Sequence, residues 1–120
     1  MAAREFNLTF EAAPPANVRP GVPFAIPMVI AVRPIGTPAS SGHHLVVNAS
    51  LRDENCTAAA VELGGSLTAS VISGRATFSS LMIPRPGRYR IRVMLSAATN
   101  NGVVTKEYVD SEVINVNAAA

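Results

Sequence analysis

Glycine and proline recur so often along this chain that few long regular elements can form between them. The 120 residues include 8 glycines and 9 prolines, with dense clusters at residues 13–23 and 34–42. Proline removes a main-chain donor and fixes φ, and both residues are favoured in turns. Because the segments between turns are short, they are more typical of strands than of helices.

The segments between the turns mostly alternate apolar and polar residues with period two. Residues 6–12 alternate in this way, which predicts a half-buried strand, and residues 24–32 are almost entirely apolar. Pro27 inside the second segment predicts an edge position or a bulge.

Residues 58–63 fit either a short strand or one helical turn. The Asn100-Asn101-Gly102 turn predicts a hairpin. Further strands are predicted at residues 45–53, 75–83, 88–96 and 103–116. The sequence therefore predicts an all-β, immunoglobulin-like sandwich of about seven antiparallel strands.

The length suits one domain, and we expect it to span residues 6–117. We expect residues 1–5 to be an added leader and residues 118–120 an added tail. No apolar run approaches the roughly 20 residues of a membrane helix, so we expect no membrane partner.

The signals for the cellular compartment disagree. Cys56 is the only cysteine, so no internal disulfide can form, which favours a reducing compartment. Three N-x-Ser/Thr sequons, at Asn7, Asn48 and Asn55, favour an extracellular one.

Motifs for catalysis are weak throughout. His43 and His44 are adjacent, so on extended chain they point to opposite sides and make a poor metal pair. Gly64-Gly65 lacks the lysine of a phosphate loop, and no G-x-S-x-G motif occurs. We therefore expect a binding domain rather than an enzyme, with no metal, cofactor or small-molecule substrate.

Arginine dominates the basic residues. Nine of the ten basic residues are arginine, the residue best suited to bidentate contacts with phosphate or carboxylate. Period two places three of them about 6.6 Å apart on the outer face of one strand, preceded by a fourth; the four are Arg88, Arg90, Arg92 and Arg85. This ladder could bind phosphates or an acidic partner. Alternatively, each arginine pairs with a carboxylate on a neighbouring strand, for which Glu107 and Glu112 are candidates.

Several stretches resemble one known family. They read L-G-G-S-L-T-A-S at residues 63–70, G-R-A-T-F-S-S-L-M-I-P-R-P-G-R-Y-R-I-R-V-M-L at residues 74–95, and S-E-V-I-N-V at residues 111–116. Their order is similar to the C-terminal half of the fungal velvet domain, and residues 11–21 and 23–32 resemble its front half more loosely. The chain departs from the family pattern at Ser79 or Ser80, where the family has aspartate, and at Arg85, where an arginine is displaced. No counterpart of the family's K-K-F-P-G segment appears.

The resemblance implies a transcription regulator with a Rel-like immunoglobulin fold, found in the nucleus and cytoplasm. Such proteins form homo- or heterodimers and contact DNA with loops at one end of the sandwich. The resemblance makes Arg19 the first candidate for a DNA contact. Arg33 is the second candidate, and we expect it to lie close to Arg19 in the next connection. The strand at residues 24–32 would pack in the core or, with Met28 exposed, contact the dimer partner.

Two alternatives remain open at this point. The chain could be an adhesion or spacer module of an extracellular protein, with its sequons in use. It could also bind a protein partner and make no contact with DNA.

Overall fold

The computed structural model describes residues 6–24, 27–34, 44–55, 63–99 and 102–118, and within them all regular structure is β-strand. The strands are β1 (Phe6–Ala12), β2 (Asn17–Val18), β3 (Met28–Pro34), β4 (His44–Asp53), β5 (Thr68–Ser70), β6 (Arg75–Phe78), β7 (Gly87–Thr99), β8 (Gly102–Asp110) and β9 (Ile114–Val116). None of this part forms a helix that could cross a membrane.

Two sheets pack face to face. The smaller has the order β1-β3-β6, and the larger has the order β2-β9-β7-β4-β5, with β8 also paired to β7. Pairing is antiparallel except between β2 and β9, which run parallel. The predicted all-β sandwich is therefore confirmed. The described residues form nine strands where about seven were expected, and three of these, β2, β5 and β9, are only two or three residues long.

Period-two alternation explains the core. In β1, Phe6 and Leu8 are buried while Asn7 and Thr9 are exposed, as the sequence predicts. The inward positions of β3, β4, β6 and β7 meet them from both sheets, and the largest fully buried side chains are Phe78, Met28, Ile30, Leu81, Ile83, Ile91, Leu95, Ile114, Val47 and Val93.

Two expectations for the apolar segment at residues 24–32 are wrong. The strand β3 begins at Met28 and lies in the middle of its sheet, between β1 and β6. Pro27 lies between Phe24, whose N–H donates to the Leu81 carbonyl, and Met28, the first residue of β3. It therefore removes no donor from the β3 ladder and does not force β3 to an edge. Met28 is not exposed: it pairs with Phe78 and is 0% accessible, so its side chain belongs to the core.

Other differences concern where strands begin and end. The proline-rich segment contains the two-residue strand β2, although no regular structure was expected there. The strand predicted over residues 75–83 ends at Phe78, and Ser80 soon after has a φ of 59°. Residues 58–62, predicted as a short strand or helical turn, lie outside the described residues.

The predicted last strand is divided in two at Ser111. This buried side chain accepts a hydrogen bond from the Ile91 main-chain N–H (2.9 Å) and donates one to the Glu112 carbonyl (2.8 Å). The hydroxyl oxygen thus accepts the hydrogen bond that a main-chain carbonyl of the ladder would otherwise accept. The strand β8 ends here, and β9 begins at Ile114.

The strands define two ends of the sandwich. The Arg19 end holds residues 19–24 and 81–87, beyond the Met28–Phe78 pair. The Arg75 end holds the tight turn at residues 72–75 and the His44–Ala98 pair. The candidate site residues are distributed between these ends and the outer face of the large sheet.

Candidate functional site

Two loops are joined by main-chain hydrogen bonds at the Arg19 end. The N–H of Gly21 donates to the carbonyl of Ile83, and that of Phe24 donates to Leu81, both at 2.8 Å. Arg19 lies two residues before Gly21, and Arg85 lies two residues after Ile83. Both arginines are exposed. The fold therefore brings together two predicted site residues that are 66 positions apart in the sequence.

The loop that carries Arg85 is held in place by a tyrosine. Tyr89 donates its hydroxyl hydrogen to the carbonyl of Pro86 at 3.0 Å, an arrangement like the tyrosine corner of immunoglobulin-like sandwiches. Because the loop is fixed before any partner arrives, less conformational entropy is lost when Arg85 binds.

Arg88 belongs to the same end. It follows Gly87 at the start of β7, and its Nε lies 3.4 Å from a carboxylate oxygen of Glu54. The two side chains are 60% and 42% exposed. A pair this open to water contributes at most about 1 kcal/mol, so a phosphate can compete for the guanidinium.

Arg90 is used inside the sandwich. Its Nε donates to the main-chain carbonyl of Glu54 at 2.8 Å, and its Nη1 donates to that of Ser111 at 3.0 Å. The part-buried side chain thus ties the end of β4 to the segment between β8 and β9.

Arg92 is also held by the large sheet. Its Nε and Nη2 bond the two carboxylate oxygens of Asp110 at 2.8 and 3.1 Å, and its guanidinium lies 4.3 Å from the centre of the Tyr108 ring. The Arg92 and Asp110 side chains are only 19% and 24% exposed. This is a bidentate, partly buried ion pair across two neighbouring strands.

The alternative interpretation therefore holds only in part. Arg92 pairs with Asp110 on the neighbouring strand, and Arg88 pairs with Glu54 just after β4, whereas Arg90 bonds main-chain carbonyls. The expectation that Glu107 and Glu112 pair with these arginines is wrong. Glu107 lies opposite Leu95, three positions beyond Arg92, and its carboxylate accepts the main-chain N–H of Tyr108. Glu112 lies in the break between β8 and β9.

Arg33 does not lie beside Arg19, so that expectation is also wrong. Arg33 is an exposed residue of β3, opposite Asn7, rather than a loop residue. It is five positions along the strand from Met28, which places it about 17 Å from the start of β3 and toward the Arg75 end.

A second arginine at that end was missed by the sequence reasoning. Arg75 follows a tight turn in which Ser73 and Gly74 have φ values of 52° and 77°. Its Nε lies 2.9 Å from a Glu11 carboxylate oxygen. A cleft of about 290 Å³ lies between Arg33, Arg75, Glu11 and this turn, and a second cleft of about 390 Å³ adjoins Arg75 between β5 and β6. The Ser-Gly-Arg sequence after an apolar run was the signal available.

The residues weighed for catalysis do not form a cluster in the described part of the chain. His44 is exposed at the start of β4, whereas His43 and Cys56 lie outside the described residues. No group of three or more histidine, cysteine, aspartate or glutamate residues there is arranged to hold a metal ion. Gly65 packs against the main chain of Ser80, which gives the Gly64-Gly65 pair a structural role.

Comparison with known proteins adds no family assignment. The sequence matches no protein-family model, and no curated protein is significantly similar to it. The resemblance to the velvet domain rests on the sequence stretches quoted above.

Proposed function

We propose that this chain is a non-catalytic DNA-binding domain that contacts phosphates with the arginines of the Arg19 end. The observation that carries the proposal is the pair of 2.8 Å main-chain hydrogen bonds that join the Arg19 loop to the Arg85 loop. Exposed arginines on fixed loops suit phosphate contacts, because the guanidinium donates several hydrogen bonds and remains charged.

The charge at this end supports the same partner. Arg19, Arg85 and Arg88 contribute three positive charges there, against two negative charges from Asp53 and Glu54, of which Glu54 pairs weakly with Arg88. Arg90 and Arg92 are left out of the proposed contact because their donors bond the sandwich itself. Arg33 is left out because it lies toward the other end.

The resemblance to the velvet domain supports DNA as the anionic partner and loops at one end as the contacting elements. It also implies a homo- or heterodimer and a location in the nucleus and cytoplasm, both of which form part of the proposal. Sedimentation velocity over a range of concentrations tests the homodimer.

The experiment is a fluorescence anisotropy titration with duplex DNA at low and moderate salt. With three phosphate contacts, the affinity should fall about 40-fold when the salt rises from about 50 to 200 mM. A folded domain that does not bind duplex DNA at low salt would contradict the proposal.

Matched variants locate the contact. Arg85→Gln should weaken binding and reduce the slope of log K against log salt by about 1. Arg33→Gln removes the same charge from an exposed site toward the opposite end and should leave the DNA affinity unchanged. Equal losses in both variants would indicate a general charge effect instead of a site.

A second candidate function is an extracellular adhesion or spacer module. It is favoured by the exposure of two sequon asparagines, Asn7 on the outer face of β1 and Asn55 in the turn after β4. Asn48 is less suited, because its side-chain oxygen accepts a hydrogen bond from Thr68 at 2.8 Å. Mass spectrometric mapping of the native protein distinguishes the two: an N-glycan on Asn7 or Asn55 would exclude a nuclear protein.

A further inference from the structure

The hairpin that connects the two sheets opens in its middle. Residues 66–79 pass from β5 in the large sheet to β6 in the small one. Hydrogen bonds hold the hairpin at the Ile72–Arg75 turn (2.8 and 3.0 Å) and, at the other end, between the Ser66 N–H and the Ser79 carbonyl (3.4 Å). Between these points the strands separate, and the cleft of about 390 Å³ lies there.

The wall formed by β5 presents unpaired main-chain groups to the cleft. The N–H of Val71 donates to Leu45, and the N–H of Ala49 donates to Leu67, so residues 67, 69 and 71 direct their main-chain groups toward β4. Antiparallel pairing alternates along the strand. The N–H and C=O groups of Thr68 and Ser70 therefore point away from β4, toward the open edge.

The same alternation applies to β6 on the other wall. The N–H of Val32 donates to the Gly74 carbonyl, which makes residues 74, 76 and 78 the hydrogen-bonded positions toward β3. The main-chain groups of Thr77 then face outward. Hydroxyl side chains line the rest of the cleft, from Ser66, Thr68, Ser70, Thr77 and Ser79.

Positive charge lies where the two clefts meet. Arg75 borders both of them, and Arg33 borders the smaller one. Glu11 pairs with Arg75 through Nε, at a contact whose side chains are 65% and 40% exposed. Two guanidinium groups beside one carboxylate leave a local charge of +1.

We propose that this cleft binds an extended peptide segment that carries acidic side chains. Main-chain groups of the peptide would pair with those of Thr68 and Ser70, as when a strand is added to the edge of a sheet. A carboxylate of the peptide would contact Arg75 and Arg33. An extended peptide is favoured over single-stranded nucleic acid because the residues lining the cleft include no aromatic ring on which bases could stack.

The binding should be weak. A three-residue edge strand offers few hydrogen bonds, and short edge strands are a common means of limiting such pairing. The two arginines must therefore supply most of the affinity, and we expect a Kd of about 0.1–1 mM for a short peptide.

An NMR titration of the ¹⁵N-labelled domain tests the proposal. The probe is a blocked heptapeptide of alternating valine and glutamate. The amides of Thr68, Ser70 and Thr77 should shift on binding, and a matched peptide with glutamine for glutamate should bind about tenfold more weakly. A peptide N-methylated at its central residues should also lose affinity, because it lacks the main-chain donors.

Variants separate this site from the proposed DNA contact. Arg75→Gln should weaken peptide binding about tenfold, whereas Arg85→Gln, toward the other end, should not change it. Three results would overturn the proposal. The first is no amide shift at about 5 mM peptide, and the second is equal affinity for the glutamine peptide. The third is that single-stranded DNA shifts the same amide signals and binds there more tightly than the peptide does. None of them bears on duplex binding at the Arg19 end.

Discussion

Single residues decide where the loops at the Arg19 end can lie. Gly65 has a φ of +99°, and a Cβ atom at this position would overlap the carbonyl oxygen of Ser80. Ser80 itself has a φ of 59°, so two unusual backbone conformations meet at this contact. The Gly64 and Met82 main chains bond each other beside it, at 2.8 and 3.1 Å. This contact positions the chain that continues to Arg85.

Replacing Gly65 with alanine should therefore destabilise the domain strongly. The positive φ contributes about 1–2 kcal/mol of strain, and overlap with a rigid main-chain carbonyl adds to it. We expect a loss of about 3 kcal/mol, seen as a fall in Tm of roughly 10 °C in a thermal unfolding experiment.

Gly21→Ala is the matched control for this substitution. Gly21 also has a positive φ, of +72°, but nothing lies within 4 Å of a Cβ placed there. It should lose only about 1 kcal/mol, the cost of the backbone conformation alone. Equal losses in the two variants would show that the contact with Ser80 has no energetic role.

Alternation of apolar and polar residues predicts burial well where each side chain clearly prefers either the core or the solvent. Phe6 and Leu8 face the core as the sequence indicates. The prediction fails for arginine, because its side chain can reach either solvent or a polar group within the sheet. Nothing in the local sequence distinguishes Arg88, which is exposed, from Arg90, which bonds two carbonyls 36 and 21 positions away. Those partners depend on strand pairing that the sequence does not specify.

At the scale of elements, β7 organises the large sheet. Its first residues pair with β9 and its later residues with β8, while β4 pairs with residues 89–98 along the opposite edge. Arg90 reinforces this arrangement where β4 ends and β9 approaches. The arginine ladder on this strand therefore combines residues that hold the sheet together with one that faces solvent.

Arg90→Met and Arg88→Met should consequently differ in stability. Loss of Arg90 leaves two carbonyls without their charged donor, and we expect the free energy of unfolding to fall by about 2 kcal/mol. Loss of Arg88 breaks only an exposed ion pair, so the change should be below about 0.5 kcal/mol. Urea unfolding measures both, provided the m-value is constant. If Arg88→Met were as destabilising as Arg90→Met, Arg88 would be a structural residue and a poor candidate for DNA contact.

Strand existence follows from the sequence better than strand partners do. The hairpin between β7 and β8 was predicted, and Thr99 does pair with Gly102. The central position of β3 could not be predicted, because Pro27 indicates an edge only if it lies within the paired region. The break at Ser111 was equally hidden, since a buried serine that replaces a ladder acceptor has no local signature. The larger cleft beside Arg75 depends on the separation of two short strands, which is a tertiary property.

For the whole molecule, the main feature is the separation of two basic surfaces. The domain is 47 Å long and 27 by 23 Å across. Along β3, Arg33 is about 17 Å from Met28, and Arg75, which pairs with Ala31, is about 10 Å from it. Residues 19–24 lie beyond Met28. At physiological salt the Debye length is about 8 Å, so the arginines of the two surfaces are more than one such length apart and largely screened from each other. One small domain could therefore hold a DNA duplex and an acidic peptide at the same time.

The two proposed ligands should accordingly bind independently. We expect the Kd for duplex DNA, measured by anisotropy at physiological salt, to change by less than about twofold when the valine–glutamate peptide is present at saturation. By thermodynamic linkage, bound DNA must change the Kd for the peptide by the same small factor. NMR measures that Kd separately. The Arg75→Gln variant is the control: it binds the peptide about tenfold more weakly, so any effect of bound peptide on its DNA affinity should need about tenfold more peptide. Mutual weakening of about tenfold or more would mean that both ligands compete for one basic surface, and the division of the arginines into two sites would be wrong.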